Sequence, residues 1–140
     1  MNQPRVRIRF DGHNRVYRPG GTLSGEYRLE MIRPEDVRAI EVSVLWHTEG
    51  KGDEDMAVHH FERLAIEDDA FETRKPRRFS TVLPKSPLSY RGAILKIHWC
   101  VRVRVFLARG KDLVGELGFR LGDVPAIRTA PEPSPTPAPP

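Results

Sequence analysis

The stretch Leu95 to Phe106, LKIHWCVRVRVF, limits the possible folds more than any other part of the chain. Leu95, Ile97, Trp99, Val101, Val103 and Val105 alternate there with Lys96, His98, Cys100, Arg102, Arg104 and Phe106. A period of two puts one set on each face of an extended strand, whereas a helix would scatter both sets around its circumference. The segment predicts a long strand with Leu95, Ile97, Trp99, Val101 and Val103 turned to a core.

The same period recurs along the rest of the sequence. Val6, Ile8 and Phe10 alternate with Arg5, Arg7 and Arg9 before the turn signal Asp11-Gly12-His13-Asn14. After a short continuation from Arg15 to Tyr17, Pro19 presets the φ of a turn and Gly20 and Gly21 supply positive φ, so the chain is expected to reverse. Leu23, Gly25, Tyr27, Leu29 and Met31 then form one face of a strand that stops at Arg33-Pro34-Glu35-Asp36. Ile40, Val42, Val44 and Trp46 alternate with Ala39, Glu41, Ser43, Leu45 and His47. Across the charged loop EGKGDED, Val58 to Ile66 returns, and the two segments read as a long hairpin. Arg78 to Leu83, the loop PKSPLSYRG (Pro84 to Gly92) and the alternation Leu113, Gly115, Leu117, Phe119, Leu121 complete the pattern.

No window carries a helical stripe. About eight strands separated by turn signals predict an all-β fold, an immunoglobulin-like antiparallel β-sandwich, over residues 1–125. From Ala126 the sequence AIRTAPEPSPTPAPP has almost nothing to bury, so residues 126–140 are expected to form a disordered, proline-rich tail of polyproline II character. At 140 residues the chain has the size of one domain. No run approaches the roughly 20 apolar residues that cross a bilayer, and the arginine-rich start lacks a signal peptide's apolar block, which points to a cytoplasmic location. Cys100 is the only cysteine, so an internal disulfide is excluded and a structural zinc site would need histidines and carboxylates. The net charge of +4 leans toward anionic partners, but acids and bases are interspersed rather than blocked.

Two stretches resemble a known family. YRPGGTLSGEYRLE (Tyr17 to Glu30) is similar to the early arrestin-fold segment in which a tyrosine, a proline-glycine turn and a glycine-containing strand follow one another. LPKSPLSYRGAILKIHWCVRVRVF (Leu83 to Phe106) resembles its later counterpart, a Leu-Pro loop, a Ser-Tyr-x-Gly turn and a long strand of valines and basic residues. With VRAIEVSVLWH between them, the resemblance covers residues 5 to 124. It implies an arrestin-like sandwich used as a binding scaffold without catalytic machinery. Arrestins carry two such lobes and this chain has room for one, so the cleft between lobes and receptor phosphate sensing do not carry over.

Several constellations could carry chemistry. His47 and His59 would face each other if the hairpin turns near Gly52 and Asp53, and with a loop carboxylate they are candidate metal ligands; the alternative is a solvated tip whose histidines pair with Glu49, Glu54 or Asp55. Lys96, Arg102 and Arg104 share one strand face, and Arg5, Arg7 and Arg9 share another. Both sets are candidate anion-binding stripes for nucleic acid or an acidic membrane surface, or outward faces that guard an edge by charge. Cys100 is either an activated thiolate or an ordinary half-buried strand cysteine. No G-x-S-x-G elbow supports a serine hydrolase. Trp46 and Trp99 keep step with the core positions.

The loop PKSPLSYRG combines stiff prolines with a large aromatic side chain, which makes Lys85, Leu88, Tyr90 and Arg91 the candidate partner-binding residues. Tyr90 has a structural alternative, tying the loop to the backbone through its hydroxyl. The favoured reading is a non-enzymatic adaptor or scaffold with another protein as partner and no cofactor. Its alternatives are a metal-binding protein or metal-dependent enzyme at the His47/His59 hairpin, and a charge-driven binder of nucleic acid or membrane.

Overall fold

In a computed structural model of the protein, residues 3–52, 54–66, 72 and 74–122 are described. Asp53 and the proline-rich segment 126–140 lie outside them. Among the described residues nine strands run in chain order: β1 (Arg5–Phe10), β2 (Val16–Tyr17), β3 (Thr22–Glu30), β4 (Val37–Gly50), β5 (Met56–Ala65), β6 (Arg77–Val82), β7 (Tyr90–Arg91), β8 (Leu95–Leu107) and β9 (Leu113–Leu121). A 3₁₀ turn, Pro34–Asp36, precedes β4.

The strands form two sheets. The smaller has the order β1-β3-β6 and the larger β2-β9-β8-β4-β5, with β7 joining β8 beyond the end of β9. Every pairing is antiparallel except the short parallel contact of β2 with β9. The core between the sheets is made by the alternating sets read from the sequence. Leu23, Tyr27 and Leu29 come from β3, Ile40, Val42 and Val44 from β4, and Trp99, Val101, Val103 and Val105 from β8. Phe10, Tyr17, Phe79 and Phe119 add an edge-to-face cluster with ring centroids 5.7 to 6.4 Å apart. The two sheets approach closely at Gly115, where an added Cβ would lie 2.9 Å from Val6 Cβ.

The Pro19-Gly20 turn forms, closed by Gly21 N–H donating to Arg18 O at 2.9 Å, and it passes the chain from β2 in the larger sheet to β3 in the smaller. Four expectations change. Only Gly20 takes positive φ there (79°), at the third position of the turn, where a side chain is disfavoured. Met31 leaves the core alternation, being 59% exposed with φ of 61° just past the end of β3. Leu95 is exposed and Trp46 half-buried, because β4 and β8, 14 and 13 residues long, overhang a smaller sheet whose strands have six to nine. Leu45 and Cys100, placed by the period on the outer face, are nevertheless buried, opposite each other across β4 and β8.

Candidate functional site

The loop between β6 and β8 is held at three points. Leu83 is buried and exchanges backbone hydrogen bonds with the Gly20-Gly21 turn, accepting from Gly20 N–H at 3.1 Å and donating to Gly21 O at 2.8 Å. Trp99 Nε1 donates to Pro87 O at 2.8 Å. Ser89 N–H donates to Leu121 O, and Leu121 N–H donates to Ser89 Oγ, each at 2.8 Å. The tether expected of Tyr90 is thus made by Ser89. Tyr90 pairs with Ile97 in the β7–β8 ladder, stays 56% exposed, and its hydroxyl makes no hydrogen bond among the described residues. Lys85, Leu88 and Arg91 are exposed as well, as are Ile94 (74%) and Leu95.

On the outer face of the smaller sheet each arginine of β1 meets a carboxylate. Arg5 Nε lies 2.6 Å and Arg7 Nε 3.0 Å from the Glu30 carboxylate, and Arg9 reaches Glu26 at 3.3 Å. Register makes this possible, since Arg5 stands opposite Glu30 and Arg9 opposite Glu26. At the end of the strand Asp11 accepts from both Arg78 and Ser24, and those hydrogen bonds, Arg78's first, pull its carboxyl down to about 2. The Arg5 hydrogen bond likewise lowers Glu30. This stripe is a charge-zipped edge rather than a row of uncommitted cations.

The outer face of the larger sheet is more varied. Arg102 binds Glu116 and Arg63 binds Glu41, each at 2.5 Å, while Arg63 and Arg104 also lie over the Phe106 ring. Lys96 stands between Glu49 and Arg91 in the register. His98 Nε2 is 2.8 Å from Glu49 Oε1, and its ring centroid is 5.3 Å from that of His47, its neighbour across β4 and β8. The His98 hydrogen bond, followed by the Lys96 charge, lowers the Glu49 carboxyl.

His47 and His59 are not brought together. His47 stands opposite Met56, and the ladder slips between Val44 and Leu45, whose partners are His60 and Val58, so His59 is an extra, bulged residue. Its Nε2 reaches Val82 O at 2.7 Å and its ring meets Trp99 edge-on, turned toward the gap between the sheets. His60 pairs with Glu62. Among the described residues no three His, Cys, Asp or Glu side chains are grouped to hold a metal ion.

A shallow depression of about 650 Å³ lies above Cys100 and Gly118, bordered by His98, Arg15, Arg91 and Arg120. Cys100 at its floor is buried, more deeply than expected, and burial pushes its thiol up to about 11. A thiolate nucleophile is therefore disfavoured at neutral pH. The sequence pointed to Arg91 for a different purpose and not to Arg15 and Arg120, which come from separate segments brought together by the parallel β2–β9 contact.

A solved structure shares this fold. The chain aligns with Spo0M, a sporulation control protein from Bacillus subtilis, at a TM-score of 0.62 over 91% of its own length and 53% of that protein's, with 17% identity. The fold is arrestin-like. The chain spans about half the length of Spo0M, and at this identity the likeness extends to the fold alone. A β-glucosidase from Listeria innocua aligns at a TM-score of 0.40 over 86% of the chain and 16% of the enzyme, at 14% identity, too loosely to bear on fold or function. No family model matches the arrestin-like chain, and no curated protein matches it significantly. Among the described residues no helix is long and apolar enough to cross a membrane.

Proposed function

We propose that the chain is a non-enzymatic binding module, an adaptor or scaffold that engages a protein partner through the loop from Pro84 to Leu95. One observation carries the reading: exposed Leu88, Tyr90 and Ile94 are presented by a loop whose backbone is held at Leu83, Pro87 and Ser89. Apolar side chains on a pre-ordered loop lose little conformational freedom on docking, so more of their burial energy is available for affinity. Leu88, Tyr90, Ile94 and Leu95 together form an apolar display of the sort that marks an interaction surface. Lys85 and Arg91 flank it and supply a polar rim. The arrestin-like scaffold agrees with this role.

The test is affinity capture from the native cell extract with the full chain and with Leu88→Ala/Tyr90→Ala/Ile94→Ala. All three side chains are solvent-facing, so the variant should melt like the wild type. The expected result is a defined set of proteins retained by the wild type and weakened at least about tenfold in the variant, as for removal of a central aromatic anchor. Equal capture by both would move the binding surface elsewhere.

A further inference from the structure

The arginines around the depression above Cys100 and Gly118 differ from most on the two outer faces in what answers them. Two carboxylates border this depression, and both are engaged: Glu49 by His98 at 2.8 Å and Glu116 by Arg102 at 2.5 Å. Among the described residues Arg15, Arg91 and Arg120 form no ion pair, and the one polar contact of these side chains is Arg15 Nη1 donating to Gly118 O at 3.4 Å. Three guanidinium groups thus converge from the β1–β2 loop, β7 and β9 on a hollow with no remaining free carboxylate. The hollow exists because β9 carries glycine at 118, opposite the small Cys100. A Cβ built at Gly118 would meet only Trp99 O, at 3.6 Å, so the open floor is not forced by crowding.

We propose that this depression binds a multivalent oxyanion, a small polycarboxylate or polyphosphate, held by Arg15, Arg91 and Arg120. Guanidinium forks match the paired oxygens of carboxylate and phosphate, and like-charged forks gathered at one place are relieved by a ligand of opposite charge. A single carboxylate would answer one fork, whereas a ligand bearing several oxyanion groups answers all three. Lys96, beside Arg91 in the register, adds to the attraction, and Glu49 and Glu116 reduce it without cancelling it, since each is already paired. The proposal does not depend on a protein partner for the loop above, because its ligand is a small anion.

The experiment is calorimetric titration of the full chain with citrate and, separately, with pyrophosphate, at low ionic strength, where exposed charges are least screened. The wild type should bind one equivalent of at least one of the two, more weakly as salt is added. Saturation by citrate alone marks the ligand as a polycarboxylate, by pyrophosphate alone as a polyphosphate, and by both as any oxyanion of that size; each supports the site. Arg91→Ala/Arg120→Ala should weaken binding at least tenfold, and Gly118→Val, which fills the floor in a residue suited to a strand, should do the same without removing a charge. Arg5→Ala/Arg7→Ala, equal in charge change but on the opposite sheet, should leave it unchanged. Failure of both anions to saturate the wild type, or equal weakening in the Arg5/Arg7 variant, would overturn the proposal. Should the arginine double variant fold poorly, Arg120→Gln and Gly118→Val decide the matter by themselves.

Discussion

The outer faces of the two sheets are built from the same side chains and behave differently. On the smaller sheet Arg5 and Arg7 share Glu30, Arg9 reaches Glu26 and Arg78 holds Asp11, so each of these arginines is answered by a carboxylate. On the larger sheet Arg63 and Arg102 cancel in the same way, but Arg15, Arg91 and Arg120 gather over a glycine with nothing left to pair. Whether an arginine-rich strand is an insulated edge or a ligand surface is therefore a property of register. An outward-facing arginine opposite glutamate contributes little to stability and attracts little from solution. The same residue beside a hollow keeps its charge available.

The largest expected difference between the two sheets lies in a glycine of each, Gly25 on the core side of β3 and Gly118 on the outer side of β9. Gly25, in the middle of the smaller sheet, sits where an added Cβ would be 2.3 Å from Arg9 O and 2.9 Å from the Phe79 ring. Backbone on the neighbouring strand cannot give way as a side-chain tip would, so Gly25→Ala should destabilise the fold by about 3 kcal/mol, the upper part of the range for overpacking. Gly118→Ala meets ordinary contact only and should leave stability near that of the wild type. Urea unfolding of the two variants checks this. Similar losses for both would mean that the floor of the hollow is structurally required after all, and that its openness says nothing about a ligand.

The strand faces were legible because a period of two is local: Val101, Val103, Ile40, Val42 and Val44 could be assigned inward without knowing their neighbours. What was not legible depends on partners far away in sequence. Leu95 continues the apolar alternation yet is exposed, because β8 outruns the sheet that should cover it. Pro19-Gly20 announced its turn type but not that the chain would leave one sheet for the other. His47 and His59 would have met had the hairpin turned about Gly52 and Asp53; the register instead sets His47 opposite Met56 and beside His98, while the bulge turns His59 toward Trp99 and Val82. The same limit hid the site. Arg5 and Glu30 are 25 residues apart, and the guanidiniums around Gly118 come from three segments, so neither cancellation nor convergence is written in any one stretch.

A smaller effect separates the faces by pH. Asp11 is held down from 3.8 to about 2, chiefly by hydrogen bonding from Arg78 and then Ser24. A carboxyl whose folded value lies below its unfolded one contributes stability above the unfolded value, and that contribution disappears as pH falls through the folded one. The contribution of Asp11 is therefore complete above about pH 4 and gone below about pH 2. Asp11→Asn should melt lower than the wild type at pH 6, and the gap between them should close across that interval. Melting curves at half-unit steps would show it; a gap that persists unchanged at pH 2 would mean that Asp11 acts by shape or through hydrogen bonds of its neutral carboxyl instead of charge.

The smallest stability effect belongs to Glu30, and it is the most informative about why the faces differ. Glu30 answers Arg5 and Arg7 together at an exposed position, and exposed pairs of this kind contribute little to folding, so Glu30→Gln should leave the melting curve essentially unmoved. It should change what the surface attracts. With the carboxylate gone, Arg5, Arg7 and the neighbouring Arg28 stand close together with only Glu26 nearby, beside an open groove of about 440 Å³. Introduced into the Gly118→Val background, where the hollow on the larger sheet is filled, Glu30→Gln should create weak, salt-sensitive pyrophosphate binding that the Gly118→Val protein lacks. If cancellation by register is what silences the smaller sheet, removing one carboxylate restores its charge. If no binding emerges, pairing is not the distinction, and the shape of the hollow above Gly118 must be what sets the larger sheet apart.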